Sequence, residues 1–154
     1  MRNEIVVPIR TDQDMVVARA RSRSLAESLG FSRTDSTLIA TALSEIARNI
    51  LVHAGRGEIQ MTQFREDARY GLRITARDSG PGIHDVERAV ESGFGSPRGL
   101  GLGLPGARRL MDEFKVQSEP GKGTTVTMTK WRIRDDLERL RDRRPHRRSE
   151  EPAS

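Results

Sequence analysis

The chain opens on a short β-type run, residues 5–9 (IVVPI), in which Pro8 predicts an edge strand because proline donates nothing to a ladder. The apolar period then lengthens to that of a helix. Met15, Ala18, Leu25 and Leu29 share one face of a segment that Asp12 or Asp14 caps and Gly30 stops. A fuller stripe follows in Leu38, Ile39, Ala42, Leu43, Ile46, Ala47, Ile50 and Leu51, predicting a second helix that starts near Ser32 to Asp35. That stripe turns toward a core and leaves Thr41, Glu45, Arg48 and Asn49 at its edge. Period-two alternation returns in residues 58–64 (EIQMTQF) and 70–78 (YGLRITARD), a hairpin closed by the polar turn REDAR.

SGPG then breaks the chain, HDVERAVESGF predicts a short helix, and GFGSPRGLGLGLPG reads as a mobile loop because so many glycines cannot pack as core. ARRLMDEF is predicted helical, KVQSE a strand, PGKG a tight turn, and TTVTMTKW a β-branched strand ending at Trp131. Strand, two helices, two strands, loop and helix, then two strands specify an α+β fold. The expectation is a two-layer α/β sandwich with a mixed, mostly antiparallel sheet and helices on one face. One domain spans residues 1–131. Residues 132–154 form a charged, arginine-rich tail, predicted helical in its first half and disordered in its last third.

Composition narrows the chemistry. The chain of 154 residues has no cysteine, which excludes disulfides, thiolate metal sites and cysteine nucleophiles. Its three histidines, His53, His84 and His146, are scattered, which argues against a dedicated zinc site. No apolar run approaches a membrane span and no secretory leader is evident, so a cytoplasmic protein that does not engage membranes is expected. The net charge of +5 invites a nucleic-acid reading. Against it, acidic residues are interspersed with the basic ones, and the tail has no aromatic residue to stack on bases. Lysine occurs only at positions 115, 122 and 130, so phosphate chemistry here must manage almost without it.

Four motifs carry candidate chemistry. DSGPG, residues 78–82, follows a strand directly; it is either a strand-ending turn or a pocket in which Asp78 accepts from an exocyclic amine while Gly80 and Gly82 admit a ring. RGLGLGLPG, residues 98–106, matches the dinucleotide fingerprint literally, but a loop precedes it, which excludes the parallel Rossmann unit. What survives is a run of backbone N–H groups leading into a helix N-terminus, an anion site that needs no lysine. GKGTT, residues 121–125, is not a P-loop, because Lys122 precedes glycine rather than serine or threonine; it reads as a hairpin turn from which Thr124 or Thr125 reaches the pocket.

Glu45 and Asn49 lie one turn apart on the second helix. A carboxamide oxygen is a suitable Mg²⁺ ligand beside phosphates, and a carboxylate is a suitable proton acceptor. The bland alternative is a solvated flank with Arg48 as the salt-bridge partner of Glu45.

Taken in this order, the motifs resemble the GHKL ATP-binding superfamily that includes histidine kinases, gyrase and MutL. Glu45 to Asn49, Asp78 to Gly82 and Gly99 to Gly103 resemble its N, G1 and G2 boxes, and residues 121–125 its downstream Gly-Thr element. Within that superfamily, SEIARNI, DSGPGI and GLGLGLPGARRLMDEF are similar to the RsbT-type serine/threonine switch kinases of bacterial stressosome signalling. The resemblance implies ATP and Mg²⁺ as cofactors, Glu45 as general base, Asn49 as the Mg²⁺ ligand, and Asp78 as the group that recognises the adenine amine. It implies that Gly80 and Gly82 shape the base pocket and that Thr124 supports it. Gly99, Leu100, Gly101, Gly103 and Leu104 would form the lid and phosphate loop, with Arg98 reaching either the γ-phosphate or the partner.

The implied partners are STAS-domain antagonist or scaffold proteins and, once the kinase is released, a PP2C-type phosphatase. A rival reading is an anti-sigma factor of the RsbW or SpoIIAB type, which sequesters a sigma factor. Another is a nucleotide-binding scaffold without phosphotransfer. The family pattern leaves the oligomeric state open.

Overall fold

The computed structural model describes residues 4–92 and 103–132. Strand β1 (Glu4–Ile9) leads into helix α1 (Asp12–Ser28) and helix α2 (Arg33–Asn49), which runs on into a π-helical turn, Ile50–Ala54. Strands β2 (Gly57–Glu66) and β3 (Arg69–Asp78) follow, then helices α3 (Val86–Ser92) and α4 (Gly103–Leu110) and strands β4 (Glu113–Ser118) and β5 (Thr124–Trp131). The sheet order is β1-β2-β3-β5-β4, so Pro8 lies on an edge strand as its chemistry requires.

Among the described residues all four ladders are antiparallel, which corrects the expectation of a mixed sheet. β3 and β4 do point the same way across the α3–α4 connection. The β4–β5 hairpin places β5 between them, so the two parallel strands never pair.

Side chains alternate across most of the sheet, the end of β5 excepted, where Met128, Thr129, Lys130 and Trp131 are all buried. Val7, Ile9, Ile59, Met61, Leu72, Ile74, Val126 and Met128 face inward, against Ile39, Leu43 and Ile46 of α2 and Leu104 of α4. α2 is the central helix, packed on α1 to one side and α4 to the other. Of its predicted stripe, Leu38 and Leu51 are only half-buried.

Several predicted boundaries move for identifiable reasons. Thr11, rather than either aspartate, caps α1: its hydroxyl accepts from the Asp14 N–H at 3.2 Å while Asp14 Oδ2 accepts from the N–H groups of Thr11 (3.2 Å) and Arg10 (2.9 Å). The β2–β3 turn is shorter than REDAR because both strands stay paired to Glu66 and Arg69, with Asp67 in the left-handed region at φ 57°. α4 begins earlier than predicted and stops at Leu110, because Glu113 and Phe114 pair with Thr129 and Met128 of β5. Lys130 closes this helix, donating from Nζ to the Leu110 carbonyl at 2.9 Å with Asp112 Oδ1 3.8 Å away. The arginine-rich tail beyond Arg132 lies outside the described residues.

Candidate nucleotide site

The inward row of the sheet is apolar along most of its length and polar at one end. Leu72, Ile74 and Ala76 continue into Asp78 on β3, and Met128 and Val126 run back to Thr124 on β5. Register sets Asp78 beside Thr124, and Thr124 beside Ser118 of β4. Three polar side chains therefore stand side by side where the strands meet their loops. α2 and its π turn cross above them. A cavity opens between the layers, walled by Ile46, Ile50, Ala76, Ile83 and Val126 and carrying Asn49, His53, Asp78 and Thr124 as its polar groups.

The walls suit a flat, mostly apolar ring and the polar groups suit its edge. Asp78 Oδ1 accepts the Gly80 N–H at 2.8 Å, an Asx turn that fixes the carboxylate at the strand end. Its second oxygen has no protein partner among the described residues, leaving an acceptor for an amine. Gly82 lines the cavity at φ 79°, where a Cβ would come within 2.0 Å of the Glu119 carbonyl oxygen. Gly80 is absent from the lining; a Cβ there would meet Ala54 at 2.6 Å, so this glycine lets the loop close onto the π turn. The Gly121 N–H donates to the Pro81 carbonyl at 2.6 Å, which folds the β4–β5 turn over the same loop.

Glu45 lies one turn before Asn49 but looks elsewhere. It is buried at 9% exposure, and its Oε1 accepts the Gly103 N–H at 3.1 Å, at the first residue of α4. A carboxylate at a helix N-terminus is favoured by the aligned peptide dipoles. Arg48 is exposed and makes no ion pair with Glu45 among the described residues, so the salt-bridge alternative is not what the structure shows. Gly103 takes φ 53° as the chain enters the helix, and Pro105 in the first turn removes an N–H that had no helical partner. Leu104 is buried at 1% exposure and anchors α4 in the core away from the cavity.

The structure thus gathers Asn49, Asp78, Gly82 and Thr124 around one cavity and brings Glu45 against Gly103 beside it. Gly99, Leu100 and Gly101, with Arg98, lie outside the described residues. None of the three lysines lines the cavity: Lys130 is spent on α4, Lys122 pairs with Glu119 at 3.3 Å, and Lys115 is exposed on β4. His53 and Ser118 are additions that sequence reasoning passed over. His53 shared the helical face of Ile46 and Asn49, and the alternation Phe114, Val116, Ser118 already pointed Ser118 inward.

A family model described as a histidine kinase-like ATPase domain matches residues 9–130. The chain belongs to the histidine kinase-like ATPase domain family. Membership implies ATP use. Serine/threonine-protein kinase RsbT of Bacillus subtilis is 46% identical over 131 residues, covering 85% of this chain and 98% of that relative. The anti-sigma F factor of Caldanaerobacter subterraneus subsp. tengcongensis is 36% identical over 99 residues, covering 60% of this chain and 68% of that relative. Among solved structures, the RsbU and RsbW domains of a Mycobacterium tuberculosis protein superpose with a TM-score of 0.57 at 22% identity. That match covers 88% of this chain but 34% of the other, and it speaks to the fold alone.

Proposed function

We propose that this histidine kinase-like domain is an ATP-dependent serine/threonine protein kinase of a bacterial partner-switching module. The observation that carries the reading is the division of labour along α2. Asn49 faces the base cavity, while Glu45, one turn earlier, faces the start of α4 at the end of the glycine-rich segment. One helix thereby offers a metal ligand and a proton acceptor on either side of the place where phosphates would lie.

The residues fit ATP and Mg²⁺ on chemical grounds. The Asp78 oxygen that has no partner among the described residues suits the adenine amine. A single carboxamide from Asn49 suits Mg²⁺, which keeps several waters and shares phosphate oxygens rather than filling an all-protein cage. Bound ATP would supply the γ-phosphoryl group, with Mg²⁺ screening its charge. The protein's own work is to exclude water from the base with Ile46, Ile50 and Val126, to hold the Asp78 carboxylate through Gly80, and to aim Glu45. With Oε1 held by Gly103, Glu45 Oε2 takes the proton of the acceptor serine or threonine hydroxyl as its oxygen bonds phosphorus and the bond to ADP breaks.

The proposed substrates are STAS-domain proteins and the proposed downstream partner is a PP2C-type phosphatase; both follow the family resemblance. Transfer of labelled γ-phosphate to purified STAS-domain proteins of the same genome, beside a Glu45→Ala control, tests this reading. Label on a serine or threonine, lost in the control, is the expected result. The anti-sigma F factor relatives support a second reading, in which the same pocket serves a protein that sequesters a sigma factor. ATP binding with no transfer, together with retention of a sigma factor in a pull-down, would favour it.

A further inference from the structure

Ser118 of β4 stands outside the base cavity, half-buried behind Thr124, and ties three segments together. Its hydroxyl lies 2.9 Å from the Gly123 carbonyl oxygen, 2.8 Å from the Ile83 N–H and 2.9 Å from Thr124 Oγ1. A serine hydroxyl owns one proton and two acceptor lone pairs. The Gly123 carbonyl cannot donate, so the serine proton goes there. The Ile83 N–H occupies one lone pair, and the contact with Thr124 then requires Thr124 to donate into the other. The reverse assignment would set the serine and Gly123 oxygens lone pair against lone pair.

With its proton turned toward Ser118, Thr124 can present only lone pairs to the cavity. Asp78, its register neighbour on β3, also lines the cavity and has one oxygen without a partner among the described residues. Two acceptors side by side match the two N–H bonds of one exocyclic amine, and they oppose a carbonyl oxygen in its place. We infer that Ser118 is a positioning residue that fixes Thr124 as an acceptor and so makes the base pocket selective for 6-amino over 6-oxo purine nucleotides. The inference rests on the nucleotide-binding reading above and adds to it a residue that never touches the base.

Calorimetric titration with ATP and with inosine triphosphate (ITP) separates the two ideas. The unmodified protein is expected to favour ATP over ITP. Ser118→Ala frees the Thr124 proton to meet a carbonyl oxygen, and the ATP/ITP affinity ratio is expected to narrow by about tenfold, the usual scale for reversing one hydrogen bond in a binding site. Ser118→Thr, which keeps the hydroxyl, should restore the ratio. Thr124→Val, which removes the acceptor and leaves Ser118 in place, should narrow the ratio as well and serves if Ser118→Ala fails to fold.

Equal weakening of both nucleotides in Ser118→Ala would mean a purely structural serine and overturn the inference. So would an unchanged ratio in Thr124→Val, or a lack of preference in the unmodified protein that binds both. Binding of neither nucleotide to the unmodified protein would overturn the nucleotide-binding reading itself.

Discussion

Replacing Asp78 by asparagine separates recognition from folding at this site. The aspartate lines the cavity and has two oxygens: Oδ1 accepts the Gly80 N–H at 2.8 Å, and the other, with no partner among the described residues, is assigned to the base. Asparagine keeps its carbonyl oxygen on Gly80, since its NH₂ there would oppose another donor. The NH₂ therefore turns into the cavity, where a carboxylate oxygen had been. A hydrogen bond to a charged acceptor contributes about 1.5–3 kcal/mol, and at 1.4 kcal/mol per tenfold this predicts a loss of about 10- to 100-fold in ATP affinity, with the added donor–donor repulsion pushing toward the upper end. Folding should change little, because the Asx turn and the strand pairing survive. Isothermal calorimetry for ATP and a thermal melt of the free protein make the comparison. ATP affinity within twofold of the unmodified protein, in a variant that melts normally, would refute the assignment of Asp78 to the base.

Four further outcomes follow from the same geometry. Glu45→Ala should lower phosphotransfer by about 10²- to 10⁴-fold, the usual contribution of a general base, while ATP binding persists; normal turnover would end the proton-acceptor assignment. Asn49→Ala should abolish the gain in ATP affinity on adding Mg²⁺, measured as the difference between titrations with and without the metal. Lys130→Ala should destabilise the fold by about 1–3 kcal/mol in denaturant melts, because the half-buried Leu110 carbonyl loses its charged donor at the end of α4. Asp14 is held below the usual carboxylate value of 3.8, first by the Arg10 N–H, then by the Arg10 charge and the Thr11 N–H. With the folded-state value depressed, its contribution to stability is present above pH 3.8 and is lost as the pH falls through the lower folded-state value. Acid titration of stability should therefore be shallower in Asp14→Asn.

The order of the elements is legible in the amino-acid sequence, because periodicity and turn chemistry are local rules. Hydrophobic period separates α2 from β2 and β3, Pro8 marks an edge, and residues 78–82 and 121–125 announce turns through the backbone freedom of glycine. The family pattern then picked out Glu45, Asn49, Asp78 and Thr124. Only the tertiary structure decided the rest. β5 inserts between β3 and β4, and that insertion alone sets Asp78, Thr124 and Ser118 in one row. α4 ends at Leu110 because pairing with β5 claims Glu113 and Phe114, a competition no local propensity registers.

Glu45 illustrates the limit most plainly. Its sequence neighbour Arg48 offered a salt bridge one turn away, and the fold instead brings in the N–H of Gly103 from the far end of the glycine-rich segment. Hydrogen-bond partners distant in the chain are set by how whole layers pack, and a single sequence carries the residue types for that arrangement without the distances.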